Sequence, residues 1–246
     1  MNYTPLAWTR PDPSPPPPRW AEEGFLLEIY RNLIYQDRWH MIVDGLWLML
    51  QITAFAAIIG IFLGLMAALM RISRFKVLRG IALTYITVIR GTPMLVQLMI
   101  WWFVVFSPLN WPIFLATVIA FGVNSGAYVC EIFRGGIMAV DHGQTEAGRS
   151  LGLTSGQNMR LIVLPQATKN SLPTLVNEFI TLIKETSLAA FIGVQELTFV
   201  ANHIRSRTFS GFVPLFAVAL VYLSAVMLLT WLMGMVERRL RKSDSR

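Results

Sequence analysis

Glu178, Thr181 and Glu185 fall at i, i+3 and i+7, a spacing that sets three polar side chains on one face of a helix. Carboxylates inside an otherwise apolar stretch can hold the ammonium group of a ligand, and a second carboxylate favours a cationic side chain. Arg90 supplies a guanidinium that can complement a carboxylate, and Asn124, Ser125 and Tyr128 add neutral hydrogen-bonding groups. This is the chemistry of recognition. A structural account of the same residues also stands: Arg90 paired with Glu178, or Lys184 with a neighbouring acid, would simply neutralise buried charge.

Groups for covalent chemistry do not assemble. A phosphate-binding loop needs glycines ahead of a Lys-Ser/Thr pair. Lys76, Lys169, Lys184 and Lys242 each lack a preceding glycine, and Lys242-Ser243 is only a fragment of that pattern. No His-Glu-x-x-His zinc motif occurs, and His40, His142 and His203 are scattered. Cys130, the one cysteine, excludes an intramolecular disulfide and has no base beside it. No catalytic residue, metal site or cofactor bound by the chain is expected.

The elements that must position these groups belong to a membrane. Of the 246 residues, 54% are hydrophobic and 14% charged, and the mean hydropathy is +0.54. An ordinary soluble domain carries about 25% charged residues. The apolar residues are grouped into runs near the roughly 20 residues that a helix needs to cross a bilayer. The formal charge of +7 resides in residues flanking those runs, which fits the positive-inside tendency and argues against nucleic acid as a partner.

Residues 1–21 form a proline-rich tail, with Pro15-Pro16-Pro17-Pro18 favouring polyproline II, and without the layout of a cleaved signal peptide. Residues 22–41 mix apolar and charged groups as an amphipathic helix lying at the membrane surface would. Within 42–240, spans are expected at about 45–70, 80–106, 112–130, 171–191 and 212–236. The first carries Gly60 and Gly64 four apart, a spacing that lets another helix approach closely. The second is interrupted by Arg90-Gly91-Thr92-Pro93, where a kink is expected, with Arg90 about 15 Å along the helix and close to mid-bilayer. Arg71, Arg74, Lys76 and Arg79 place the side after the first span in the cytoplasm. An all-α integral membrane protein of about five spans follows, with its amino terminus outside and its carboxyl terminus, including the tail 241–246, in the cytoplasm.

Four ordered motifs then carry a resemblance. Glu146-Ala147-Gly148-Arg149-Ser150-Leu151-Gly152, continuing through Leu153 to Ile162-Val163-Leu164-Pro165, resembles the EAA signature of permease subunits in bacterial ABC importers. Gly148 stands where alanine is usual, a departure expected to loosen the first helix of the loop. Arg90-Gly91-Thr92-Pro93 with Leu95-Val96-Gln97, Glu131-Ile132-Phe133-Arg134-Gly135-Gly136-Ile137, and Asn177-Glu178-Phe179 with Lys184-Glu185-Thr186-Ser187-Leu188 resemble segments of the polar amino acid branch (histidine, glutamine and arginine types).

The resemblance implies the type I importer permease fold in the bacterial inner membrane. It makes 131–167 a cytoplasmic coupling loop, with Glu146, Ala147, Gly148, Leu151, Gly152, Leu153 and Pro165 docking on an ATP-binding subunit dimer that carries the ATP and magnesium. It implies a second permease subunit, identical or paralogous, and an extracytoplasmic amino acid-binding protein. Glu178, Thr181, Asn124, Tyr128, Arg90 and Glu185 are then the residues placed to meet a polar, possibly cationic, amino acid. Broken helices with buried charges also suit a secondary transporter driven by an ion gradient. An intramembrane enzyme would need a converging nucleophile and base, and a sensor would respond without flux.

Overall fold

The computed structural model describes residues 24–242, with side chains through 235; the proline-rich segment 1–21 and residues 243–246 lie outside the described residues. All the regular structure among them is helical. In chain order it comprises α1 (Gly24–Ile29), α2 (Arg38–Ile72), α3 (Lys76–Arg90), α4 (Met94–Met99), α5 (Ile113–Met138), α6 (His142–Ser150), α7 (Ser155–Asn158), α8 (Leu164–Glu185), α9 (Leu197–Thr208) and α10 (Phe212–Lys242). Wider π-helical turns at Tyr30–Ile34, Ile100–Phe106 and Met159–Val163 extend α1, α4 and α7. From Gly24 to Met41 the chain is thus helical but interrupted: Gln36 and Asp37 take left-handed backbone conformations just before α2 begins.

The centre of the bundle is the parallel pair α2–α5, in which Ala56, Gly60 and Gly64 meet Gly122, Ser125 and Val129 in the same order. Its small residues decide how close the two helices come. A Cβ on Gly64 would lie 2.5–2.6 Å from the Val129 side chain, so only glycine tolerates this approach. Ile52, Ala56, Leu98, Val118, Phe121 and Leu182 form the largest apolar cluster, joining α2, α4, α5 and α8. α8 packs on the other side of α5, where Ser171 Oγ donates to the Ile132 carbonyl beside the bare backbone of Gly136.

The interruption at 90–93 is a corner rather than a gentle kink. α3 and the helix beginning at Met94 meet at 104°. Proline has no N–H to donate and its ring clashes with the preceding turn, so the helix cannot run through Pro93. Gln97 takes up the backbone acceptors left at the break: its Nε2 donates to the carbonyls of Ile89 (2.7 Å) and Thr92 (3.0 Å) and to Thr92 Oγ1 (2.8 Å). Asn124, 3% exposed, donates in turn to Gln97 Oε1 at 3.1 Å.

Gly24–Ile72, Ile113–Met138 and Phe212–Met235 are long and apolar enough to cross a membrane, and the bent α3–α4 pair makes a fourth if taken as one span. A fifth crossing would require α8. Its 22 residues reach about 33 Å, but its polar face keeps it below the hydropathy of the others. Two boundaries differ from the sequence reading. α5 continues past Cys130 to Met138, because Gly135 and Gly136 are accommodated inside the helix; α8 starts at Leu164 and ends at Glu185, where a tight 3₁₀ turn runs on to Ile192. The 131–167 connection is therefore almost wholly helical.

Candidate functional site: a polar cavity and a helical knob

A cavity of about 540 Å³ opens between α5, α8 and the end of α3, within the roughly 300–1,000 Å³ usual for small-molecule sites. α8 contributes Asn170, Thr174, Asn177, Glu178 and Thr181. These positions are spaced by four, three, one and three, so they form a single stripe down one face of the helix. That stripe is why α8 is too polar to resemble an ordinary span. The opposite face, with Leu182 and Ile183, is buried in the bundle.

Glu178 is the carboxylate of this stripe. Ser125 of α5, 3% exposed, donates to its Oε1 at 2.8 Å and leaves the other oxygen without a hydrogen bond from a described residue. Arg90 enters from the corner of α3, with its guanidinium carbon 5.2 Å from the centre of the Tyr128 ring. Thr181 bonds back to the Asn177 carbonyl and keeps its exposed position on the stripe. The cavity thus joins four of the six residues expected from the sequence: Glu178, Thr181, Tyr128 and Arg90. Asn124 is buried and committed to Gln97, and Glu185, at the end of α8, is not in the lining.

The pairing of Arg90 also differs from the ion pair that the sequence suggests. Its ion-pair partner is Glu131, at 3.9 Å, not Glu178. Glu131 is shared. It accepts from Arg71, in the last turn of α2, and from Arg134, whose Nε and Nη2 lie 3.0 and 2.9 Å from Oε2. Because Arg71 and Arg90 reach one carboxylate, Arg90 sits at the depth of the end of α2. An α3 running straight back along α2 would instead have put Arg90 about midway along that helix.

Glu131 is the charged lining residue that the sequence reading missed, along with the neutral Asn170, Thr174 and Asn177 of α8. One signal pointed to it: it is the only acid between Asp44 and Asp141, a stretch that also holds Arg71, Arg74, Lys76, Arg79, Arg90 and Arg134.

The 131–167 connection forms a knob. Asp141 caps α6 by accepting from Gly143 N–H. α6 ends with Gly152 at φ +84°, Gly152 N–H bonded to the Arg149 carbonyl and Leu153 N–H to the Gly148 carbonyl, the paired bonds of a Schellman close. Thr154 and Gln157 then form a capping box that starts α7. Leu151, at the turn, is 83% exposed. Glu146, Ala147 and Pro165 are also exposed, and Leu153 is half-buried.

Gly148 does not loosen α6. The helix runs unbroken through it, and a Cβ there would lie 2.5 Å from Asn158 Oδ1 and 2.7 Å from Ile162 Cδ1. The missing methyl lets the two limbs of the knob close. Asn158 Nδ2 then donates to the Thr145 carbonyl across the joint at 3.0 Å.

Comparison with known proteins matches this architecture. Residues 60–242 fit the family described as binding-protein-dependent transport system inner membrane component. The chain is 42% identical over 205 residues to an arginine transport system permease protein of Bacillus subtilis, covering 82% of this chain and 94% of that protein. It is 36% identical over 204 residues to the glutamine transport system permease protein of Escherichia coli, covering 82% and 93%. A crystal structure of an amino acid ABC transporter with histidines matches at a TM-score of 0.79 and 42% identity, over 84% of this chain and 97% of that one. A methionine ABC transporter structure, 18% identical, shares the fold at a TM-score of 0.70. The chain belongs to the family of binding-protein-dependent transport system inner membrane components.

Proposed function

We propose that this chain is the permease subunit of an ATP-driven importer of polar amino acids, and that its own cavity holds the amino acid in transit. The observation that carries the reading is the pairing, in one cavity, of a Glu178 carboxylate anchored on one oxygen with an Arg90 guanidinium held loosely at 3.9 Å from its nearest acid. A zwitterionic head group presents the two complementary charges. Its ammonium meets Glu178, its carboxylate meets Arg90, and the side chain lies against the amides and hydroxyls of Asn170, Asn177, Thr174 and Thr181. The relatives named for arginine and glutamine transport support the same class of solute.

Energy enters through the knob. Leu151, presented on the closed turn at Gly152, seats in a groove of an ATP-binding subunit that carries the nucleotide and magnesium. Movement of the knob is transmitted along α7 and α8, which are continuous through the π-helical turn at Met159–Val163. A second permease subunit completes the pathway, an extracytoplasmic binding protein delivers the solute, and the knob faces the cytoplasm. The chain itself carries out no covalent chemistry.

The test is uptake of radiolabelled amino acids by proteoliposomes holding the complete assembly. Glu178→Gln should lower uptake at limiting substrate at least about tenfold, since the buried ion pair with the ammonium is lost. ATP hydrolysis by the assembly should persist. Unchanged uptake in that variant would remove the cavity from the pathway. Uptake that proceeds without ATP on an imposed ion gradient would replace the importer with a secondary transporter.

A further inference from the structure

The lining of the cavity contains two carboxylates, Glu178 and Glu131, and one cation, Arg90. On that inventory alone the site has a spare negative charge and would welcome a cationic side chain. Arg71 and Arg134 change the sum. Neither lines the cavity, yet both bond to Glu131 from behind its wall, Arg134 through two nitrogens. The side chain of Glu131 is only 17% exposed, against 43% for that of Arg90. Within the five-residue group, three guanidiniums face two carboxylates. Glu185, the other acid that could attract a second cation, is not in the lining. Once Glu178 has taken the ammonium, no uncommitted carboxylate in the cavity wall remains for a charged side chain.

We propose that Arg71 and Arg134, from outside the cavity, neutralise Glu131 and thereby set the pathway's preference for amino acids with an uncharged polar side chain over cationic ones. Arg71 is the specificity-determining residue of the pair. It comes from α2, a different helix from Glu131, and it alone holds Oε1, so its removal frees that oxygen without altering α5, while Arg134 keeps Oε2. The amides and hydroxyls along α8 then provide the hydrogen bonds that an amide side chain requires. This inference rests on the reading of the cavity as the amino acid site.

The experiment measures competition between radiolabelled glutamine and arginine for uptake by the complete reconstituted assembly, with the wild type, Arg71→Gln, Glu131→Gln and the double variant. The wild type should favour glutamine. Arg71→Gln should shift the glutamine-to-arginine ratio toward arginine by about tenfold, the effect of uncovering one charge in a partly screened cavity. Adding Glu131→Gln to Arg71→Gln should return the ratio to that of the wild type, whereas a merely structural loss would lower both uptakes together and would not be rescued. Arg71→Lys, which keeps the charge, should preserve the ratio. A wild type that prefers arginine, or a ratio unmoved by Arg71→Gln in an assembly that still transports, would overturn the proposal. Failure of the underlying reading has a different signature: Glu178→Gln would then leave uptake of both amino acids intact.

Discussion

At the scale of single residues, the chemistry of the chain depends on which groups are already occupied. Glu178 is held through one oxygen, Asn124 is bonded to Gln97, and Glu131 is shared among three arginines. Gly148 is the clearest case of a residue whose function is an absence. Gly148→Ala should destabilise the knob by about 1–3 kcal/mol, the usual cost of overpacking, and weaken coupling of ATP hydrolysis to uptake. Asn158→Ser in the same chain should restore part of the loss by removing the Oδ1 that the new methyl would strike. Coupled hydrolysis rates of the single and double variants would check this, and strict additivity would contradict it. Composition and motif order pointed to Glu178, Thr181, Tyr128 and Arg90, which the structure gathers in one cavity. They could not show that Asn124 is consumed by Gln97, or that Glu131 is the partner of Arg90. Those facts depend on which helix faces which, and residues 60 apart in sequence, such as Arg71 and Glu131, share no local pattern.

At the scale of elements, the long apolar helices α2, α5 and α10 were legible from hydropathy, and the break before Pro93 from the chemistry of proline. The angle of that break was not, because it depends on what satisfies the freed backbone groups. Gln97 performs that task with the two hydrogens of one nitrogen, shared among three acceptors. Gln97→Leu keeps the side chain's bulk and removes those donors. It should lower the stability of the purified protein by about 1–3 kcal/mol, chiefly the cost of leaving the buried Asn124 amide without its acceptor, seen as a drop in its melting temperature in detergent. A variant as stable as the parent would show that the corner is held by packing alone. α8 was under-read for a related reason. Its apolar content argued for a modest span, while its stripe from Asn170 to Thr181 marks a wall of a cavity.

At the scale of the whole molecule, one end of the bundle carries the knob, and the broad apolar faces are left for lipid or another subunit. Only 17% of the most apolar window of α10 is buried within the chain, with Leu220, Leu223, Met227 and Trp231 exposed. If Leu151 is the contact that receives motion, Leu151→Asp should leave the fold intact and uncouple the assembly. Uptake would fall at least about tenfold while the ATPase continues to hydrolyse, since a charge replaces a buried apolar anchor. Parallel uptake and hydrolysis assays would check this; transport at the parental rate would place the contact elsewhere. The corner between α3 and α4 has a mechanical consequence as well. α3 is an arm of 15 residues, about 22 Å long, with Arg90 at its tip and the short turn after Ile72 at its base. A swing of about 5° at that base carries the tip through about 2 Å, which suffices to unseat a guanidinium held 3.9 Å from its acid. A small tilt of α3 would therefore loosen the hold of Glu131 on Arg90, and it would draw on α5 as well, because Tyr85 ties the arm to the Val123 carbonyl.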